Sequence, residues 1–166
     1  MKRIGLLLFL SAIVFFPACD NEIDLTAEWE DIPIVYGLLD VQDTAHYIRV
    51  ERAFLSEENA LEVAQRPDSL YYDEGEIEVY LVDLQNNEEY ALERIEGNED
   101  GYVRDTGVFA HDPNYLYKIR DERINLKSDR TYRFELHRGD EQDVVTSEAT
   151  VLDTLKMQFL GDRLSF

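Results

Sequence analysis

From residue 32 to residue 151 apolar and polar side chains alternate with a period of two, and turn-forming residues interrupt the pattern every 8 to 15 positions. The run Ile34-Val35-Tyr36-Gly37-Leu38-Leu39, closed by Asp40 and Asp43, predicts a strand buried over most of its length. His46 to Phe54 sets Ile48 and Val50 on one face and Tyr47, Arg49 and Glu51 on the other. Glu57 to Gln65 departs from this period: Ala60, Leu61 and Ala64 stand at helical spacing before Pro67, which predicts the one helical turn of the mature chain. Ile77, Val79 and Leu81 then alternate with Glu76, Glu78 and Tyr80. The pair Asn86-Asn87 supplies a turn, and Tyr90 to Ile95 returns as the second strand of a hairpin. Beyond the loop Gly97 to Gly101, Tyr102 to Val108 and Tyr115 to Ile119 predict two more strands. Last, Thr131 to His137 alternates Tyr132, Phe134 and Leu136 with Arg133 and Glu135, Gly139-Asp140 turns the chain, and Val144 to Val151 runs back.

Seven or eight short strands with one short helical insert predict an all-β fold, an immunoglobulin/fibronectin-like antiparallel β-sandwich over residues 32–151. Leu126 and Tyr132 lie six residues apart across Lys127-Ser128-Asp129-Arg130, a spacing that resembles the tyrosine corner of such sandwiches. In that corner the phenol bonds back to upstream backbone and pins the crossing between sheets.

The N-terminus is patterned differently. Met1-Lys2-Arg3 is basic, Ile4 to Phe16 is apolar apart from Gly5 and Ser11, and Pro17-Ala18-Cys19 follows. Thirteen apolar-stretch residues at helical rise span roughly 20 Å, short of a bilayer core of about 30 Å. The layout therefore predicts a cleaved signal peptide, residues 1–18, and not a permanent span. Small Ala18 followed by Cys19 resembles a bacterial lipobox, and that resemblance implies that the Cys19 thiol carries diacylglycerol and becomes the mature N-terminus. Cys19 is the only cysteine, so no disulfide competes for the thiol. Residues 19–31, with Asp20, Glu22, Asp24, Glu28, Glu30 and Asp31, lack periodicity and read as an acidic tether. In some gram-negative lipoproteins a similar acidic run accompanies export to the outer leaflet.

Removing residues 1–18 from 166 leaves 148, the size of one domain. The net charge of −20 becomes −22 without Lys2 and Arg3. Such a surface repels phosphate backbones and anionic headgroups, which argues against nucleic acid as a partner.

Candidate chemistry is sparse. His46, His111 and His137 are dispersed without paired metal spacing and read as solvent-facing strand and loop residues. Glu96-Gly97-Asn98-Glu99-Asp100-Gly101 is similar to the start of a calcium loop, but Gly107 stands where a bidentate Glu is required, so a charged hairpin loop is expected and no metal or other cofactor. Arg138-Gly139-Asp140 is explained by turn chemistry. No Gly-x-Ser-x-Gly element or phosphate-binding glycine loop is present, so no catalytic residue is assigned. The aromatic residues offer more: ten tyrosines and one tryptophan combine rigid apolar area with a polar tip. Tyr71 and Tyr72, in the loop after Pro67, and Tyr115 with Tyr117 are the candidate binding residues.

The element order resembles the N-terminal part of a family of bacterial surface lipoproteins known as domain of unknown function 4249. The features that carry the resemblance are the acidic segment after Cys19, the strand Ile34 to Leu39, a strand feeding a helical insert, Gly101-Tyr102, and Tyr132 to Val151 with its close Thr146-Ser147-Glu148-Ala149-Thr150-Val151. The resemblance implies a place beside outer-membrane uptake receptors and no enzymatic activity. It also implies that residues 152–166 are a C-terminal tail or the start of a further region. The expected function is thus a lipid-anchored, non-catalytic lipoprotein of the outer membrane, on its periplasmic or cell-surface side, binding a ligand or supporting an uptake receptor or other β-barrel protein. The alternatives are a cell-envelope glycan hydrolase acting through carboxylates, or a structural subunit of a surface assembly.

Overall fold

Strands form where the alternation runs without interruption. The computed structural model describes residues 32–54, 56, 58–139 and 143–153. Cys19, the signal segment, the tether, Asp140 and residues 154–166 lie outside these. Among the described residues the strands are β1 (Pro33–Gly37), β2 (Ala45–Arg52), β3 (Glu78–Asp83), β4 (Glu88–Ala91), β5 (Glu93–Glu96), β6 (Tyr115–Arg120), β7 (Thr131–His137) and β8 (Val145–Thr150). They make two four-stranded sheets, β1-β2-β6-β5 and β4-β3-β7-β8. Every pairing is antiparallel. This is the all-β sandwich that the alternation predicts, and its strand order is that of the immunoglobulin-like sandwich.

The inward residues of both sheets meet in one core in which Val50, Leu81, Ile119, Tyr132 and Leu136 are almost fully buried. Burying each such side chain contributes about 1.5–3 kcal/mol. Tyr132 is the second residue of β7, and its hydroxyl accepts a hydrogen bond from the Lys127 backbone N–H at 3.1 Å. The corner geometry expected from the spacing is therefore present. Tyr132→Phe strands that N–H, and a cost of about 1 kcal/mol is expected. It should be visible as a lower urea midpoint at unchanged m-value; an unchanged midpoint would show that the corner bond adds nothing to stability.

Four expectations are corrected. The first strand ends at Gly37 and is half-buried at best, with Tyr36 and Leu38 exposed, instead of buried over most of its length. The helical insert is not single: α1 (Ala60–Val63) and α2 (Pro67–Leu70) both lie between β2 and β3, and α3 (Asp121–Ile124) follows β6. The returning strand of the hairpin is split at buried Leu92, whose N–H bonds to the Val79 carbonyl, so that β4 stays with β3 while β5 crosses to pair with β6. Tyr102 to Val108 is not a strand. Its valines, Val103 and Val108, face solvent, and Arg104 turns inward to pair with Glu51, so the segment spends its polar groups on side-chain contacts instead of a ladder.

Antiparallel alternation brings the β2–β3 and β5–β6 connections to one end of the sandwich. There Ala110 N–H bonds to the Ala64 carbonyl at 2.8 Å, joining the two loops. The chain enters at this same end, where the Ile32 carbonyl accepts from Ala53 N–H at 2.8 Å. At the opposite end Asp121 N–H bonds to the Thr44 carbonyl, and Arg130 pairs with Asp83.

Candidate functional site

The two loops at the chain-entry end fold back over the outer face of the β1-β2-β6-β5 sheet. Asn59 caps α1 by accepting from Leu61 N–H, and Pro67 sits at the first position of α2, where its missing N–H costs nothing. These short turns carry Leu70 and Tyr71 onto the sheet, where with Ala110 they form a small second core, flanked by Phe54 and Tyr115. Gln65 ties α1 to the β5–β6 loop through the carbonyls of Gly107 and Val108.

Beneath the loops lies a buried polar network. Glu51 Oε1 accepts from Arg104 Nη1 at 2.9 Å and from Arg49 Nη1 at 3.3 Å. The Tyr71 hydroxyl accepts from the same two guanidiniums. Arg49 Nη2 donates to Asn114 Oδ1 at 2.7 Å, and Asn114 Nδ2 donates to the Tyr102 carbonyl at 2.7 Å. Asn114, wholly buried, also sends its backbone N–H to Glu96 Oε1 at 2.6 Å. Gly97 lies so close above it that a Cβ would stand 2.8 Å from Asn114 Nδ2 and from Leu116 Cδ1, so only glycine lets the loop approach here. Two guanidiniums sharing one carboxylate oxygen in a partly dry site make charge-assisted hydrogen bonds stronger than neutral ones.

On the solvent side Tyr102 stacks on Tyr47, with ring centroids 4.9 Å apart, and Asp100 receives both the Tyr47 hydroxyl and the Lys118 ammonium. Hydrogen bonds from Lys118 and Tyr47 hold the Asp100 carboxyl below its usual range, and Asp100 in turn raises Lys118. Glu96 uses Oε1 for Asn114 N–H and Asn98, and Oε2 for Glu99 N–H. Two of the carboxylates of the segment that is similar to a calcium loop, Glu96 and Asp100, are thus engaged in shaping it. No group of three metal-binding side chains occurs among the described residues.

Between α2, the start of β6 and β5 opens a cleft of about 390 Å³. Tyr71, Tyr72 and Tyr115 line it together with Pro67, Pro113 and Arg94, and Asp68, Asp73 and Glu74 form its rim. Tyr71 meets Tyr115 edge to face at 5.3 Å, and the Arg94 guanidinium lies 4.0 Å above the Tyr115 ring. Three of the four tyrosines singled out in the sequence therefore converge. Tyr117 does not: it packs in the core between the sheets, register-paired with Ile48 and Arg94. Of the histidines, His46 needs correction: it is buried, its Nε2 3.3 Å from Asp121, whereas His111 is exposed as expected and His137 is partly exposed beside Glu135 and Tyr80. Of the tripeptide 138–140, Gly139 holds the left-handed φ of +74° that a glycine turn requires. Arg94, Arg104 and Asn114 carried no sequence signal, and Arg49 and Glu51 showed only a shared strand face, because the contacts that join them to the loops form only on folding.

Burial raises the phenol of Tyr71 despite the two arginines beside it. Burial likewise raises Tyr117 and Tyr132 and pushes Tyr90 up to about 12, while the hydrogen bond to Glu78 raises Tyr80. A folded-state pKa above the unfolded value means stability that is complete below the unfolded phenol pKa of 10 and is lost as pH rises toward about 12. Denaturant midpoints should therefore fall across that window together with the appearance of tyrosinate absorbance. Midpoints that stay level while the phenols ionise would contradict this.

No family model, no curated protein and no solved structure matches this chain.

Proposed function

We propose that this protein is a lipid-anchored, non-catalytic binding module of the cell envelope, held at the outer membrane through Cys19, and that the tyrosine-lined cleft is its binding surface, either for a ligand or for a neighbouring uptake receptor. The observation that carries the reading is one open cleft lined by half-exposed Tyr115 and by the small exposed fractions of the otherwise buried Tyr71 and Tyr72, with walls locked by a buried polar network. Rigid aromatic surfaces bind at little entropic cost because their rotamers are already set. The tether supports the same reading. Residues 19–31 can extend at most roughly 45 Å, and they enter at Ile32, beside the root of the loop that builds the cleft. A cleft at the tethered end stands within reach of a partner in the same membrane. The lipobox-like segment and the lone cysteine support the anchor.

A photo-crosslinking residue at Glu74, on the exposed rim, tests this in intact cells, with Glu148 on the outer strand β8 as the distant comparison. Adducts are expected from position 74 and not from position 148. Equal labelling, or none at 74, would contradict the proposal.

A further inference from the structure

In a chain with 36 acidic and 16 basic residues, an arginine without a carboxylate partner calls for an explanation. Arg94 is such a residue. It is half-buried, makes no hydrogen bond or ion pair among the described residues, and has one nitrogen, Nη1, that is sequestered without an acceptor. Its contact is the face of Tyr115 at 4.0 Å, within the cleft wall. A half-buried guanidinium with idle donors is costly unless something supplies an acceptor.

The surroundings restrict what that acceptor belongs to. Asp68, Asp73 and Glu74 are exposed on the rim, and their carboxylates accept no hydrogen bond among the described residues. A small anion attracted to Arg94 would have to pass three like charges, at an energetic disadvantage in a partly shielded cleft. A ligand cation fares no better, because the Tyr115 face that would receive it already carries the Arg94 guanidinium. An uncharged ligand dense in hydroxyls satisfies both demands. Its hydroxyls donate to the rim carboxylates and accept from Arg94, and its apolar C–H faces lie against Pro67 and Pro113, half-exposed in the lining.

We propose that the cleft binds a neutral saccharide, with Arg94 as its hydrogen-bond donor and Asp68 and Glu74 as acceptors. The proposal rests on the binding-module reading above and names the ligand class. Its test is calorimetric titration of the full mature protein, solubilised in detergent, with maltohexaose, cellohexaose, xylohexaose and mannohexaose, alongside polygalacturonate and an oligolysine peptide. At least one neutral oligosaccharide is expected to bind in the millimolar-to-micromolar range, and Arg94→Gln should weaken it by about tenfold or more, the loss typical of a hydrogen bond to a charged group. Because Arg94 is half-buried, the double variant Asp68→Asn/Glu74→Gln, confined to the exposed rim, provides a second measurement that cannot be ascribed to unfolding; it should weaken binding several-fold. The proposal is overturned if none of the four binds at millimolar concentration, or if binding is indifferent to both variants. It is also overturned if polygalacturonate or oligolysine is the Arg94-dependent ligand. In these cases a crosslink specific to position 74 would still uphold the cleft as a binding surface, so the two readings fail separately.

Discussion

Asn114→Ala is expected to lower stability by about 3 kcal/mol, on the order of 10 °C in Tm for a domain of this size. The side chain is wholly buried and serves three others at once. Its Oδ1 takes the Arg49 guanidinium, and its Nδ2 reaches the Tyr102 carbonyl and, more weakly, Asn98 Oδ1. Truncation leaves a charged donor and a backbone acceptor without partners under a loop that excludes water, and unmet groups cost more than the lost bonds themselves. Asn114→Asp should be impaired as well, despite its shape, because a carboxylate cannot donate to Tyr102 and would stand beside Glu96. Since Asn114 joins the loop over residues 97–114 to the sheet, limited proteolysis should cut that loop faster in both variants. A Tm within about 2 °C of wild type would show that the network does not hold the loop down.

Much of the sandwich was legible where strands keep the period of two, as β7 does throughout and β2 does from Ala45 to Val50. Thr131 to His137 forms β7 over the same residues that alternate, and the six-residue spacing to Tyr132 marked the corner that the Lys127 hydrogen bond closes. The failures have physical causes. Tyr102 to Val108 alternates weakly, and its inward residue is Arg104, whose partners Glu51 and Tyr71 lie 53 and 33 positions away. Leu92 reads as one more apolar residue of a returning strand; only the packing of two sheets makes it the point where the chain crosses between them. His46 looks like any polar strand residue, yet its position opposite Ile119 turns it inward. The cleft was half legible. Tyrosines advertise binding surface by their chemistry, but Tyr115 and Tyr117 share a strand and a parity, and which of them reaches the cleft depends on where the sheet ends. Arg94 is indistinguishable in sequence from an ordinary exposed strand arginine.

On the proposal made above, the anchor at Cys19 determines where the cleft operates. Among the described residues no helix is long and apolar enough to cross a membrane, and the strongly negative surface gains nothing from anionic lipid. The lipobox-like segment ending at Cys19 is the ground on which acyl chains are proposed as the means of membrane residence. One chain binds only marginally, at roughly 0.8 kcal/mol per buried methylene, whereas two or three make release slow. Substitution of one residue should consequently move the whole population. The most direct measurement is fractionation of cells making wild-type protein or Cys19→Ala, with fatty-acid labelling of both. Wild type is expected in the outer-membrane fraction, carrying label, and Cys19→Ala in the soluble fraction without it. Wild type that is soluble and unlabelled, or Cys19→Ala that stays with the membrane, would contradict the account of this protein as an anchored binding module.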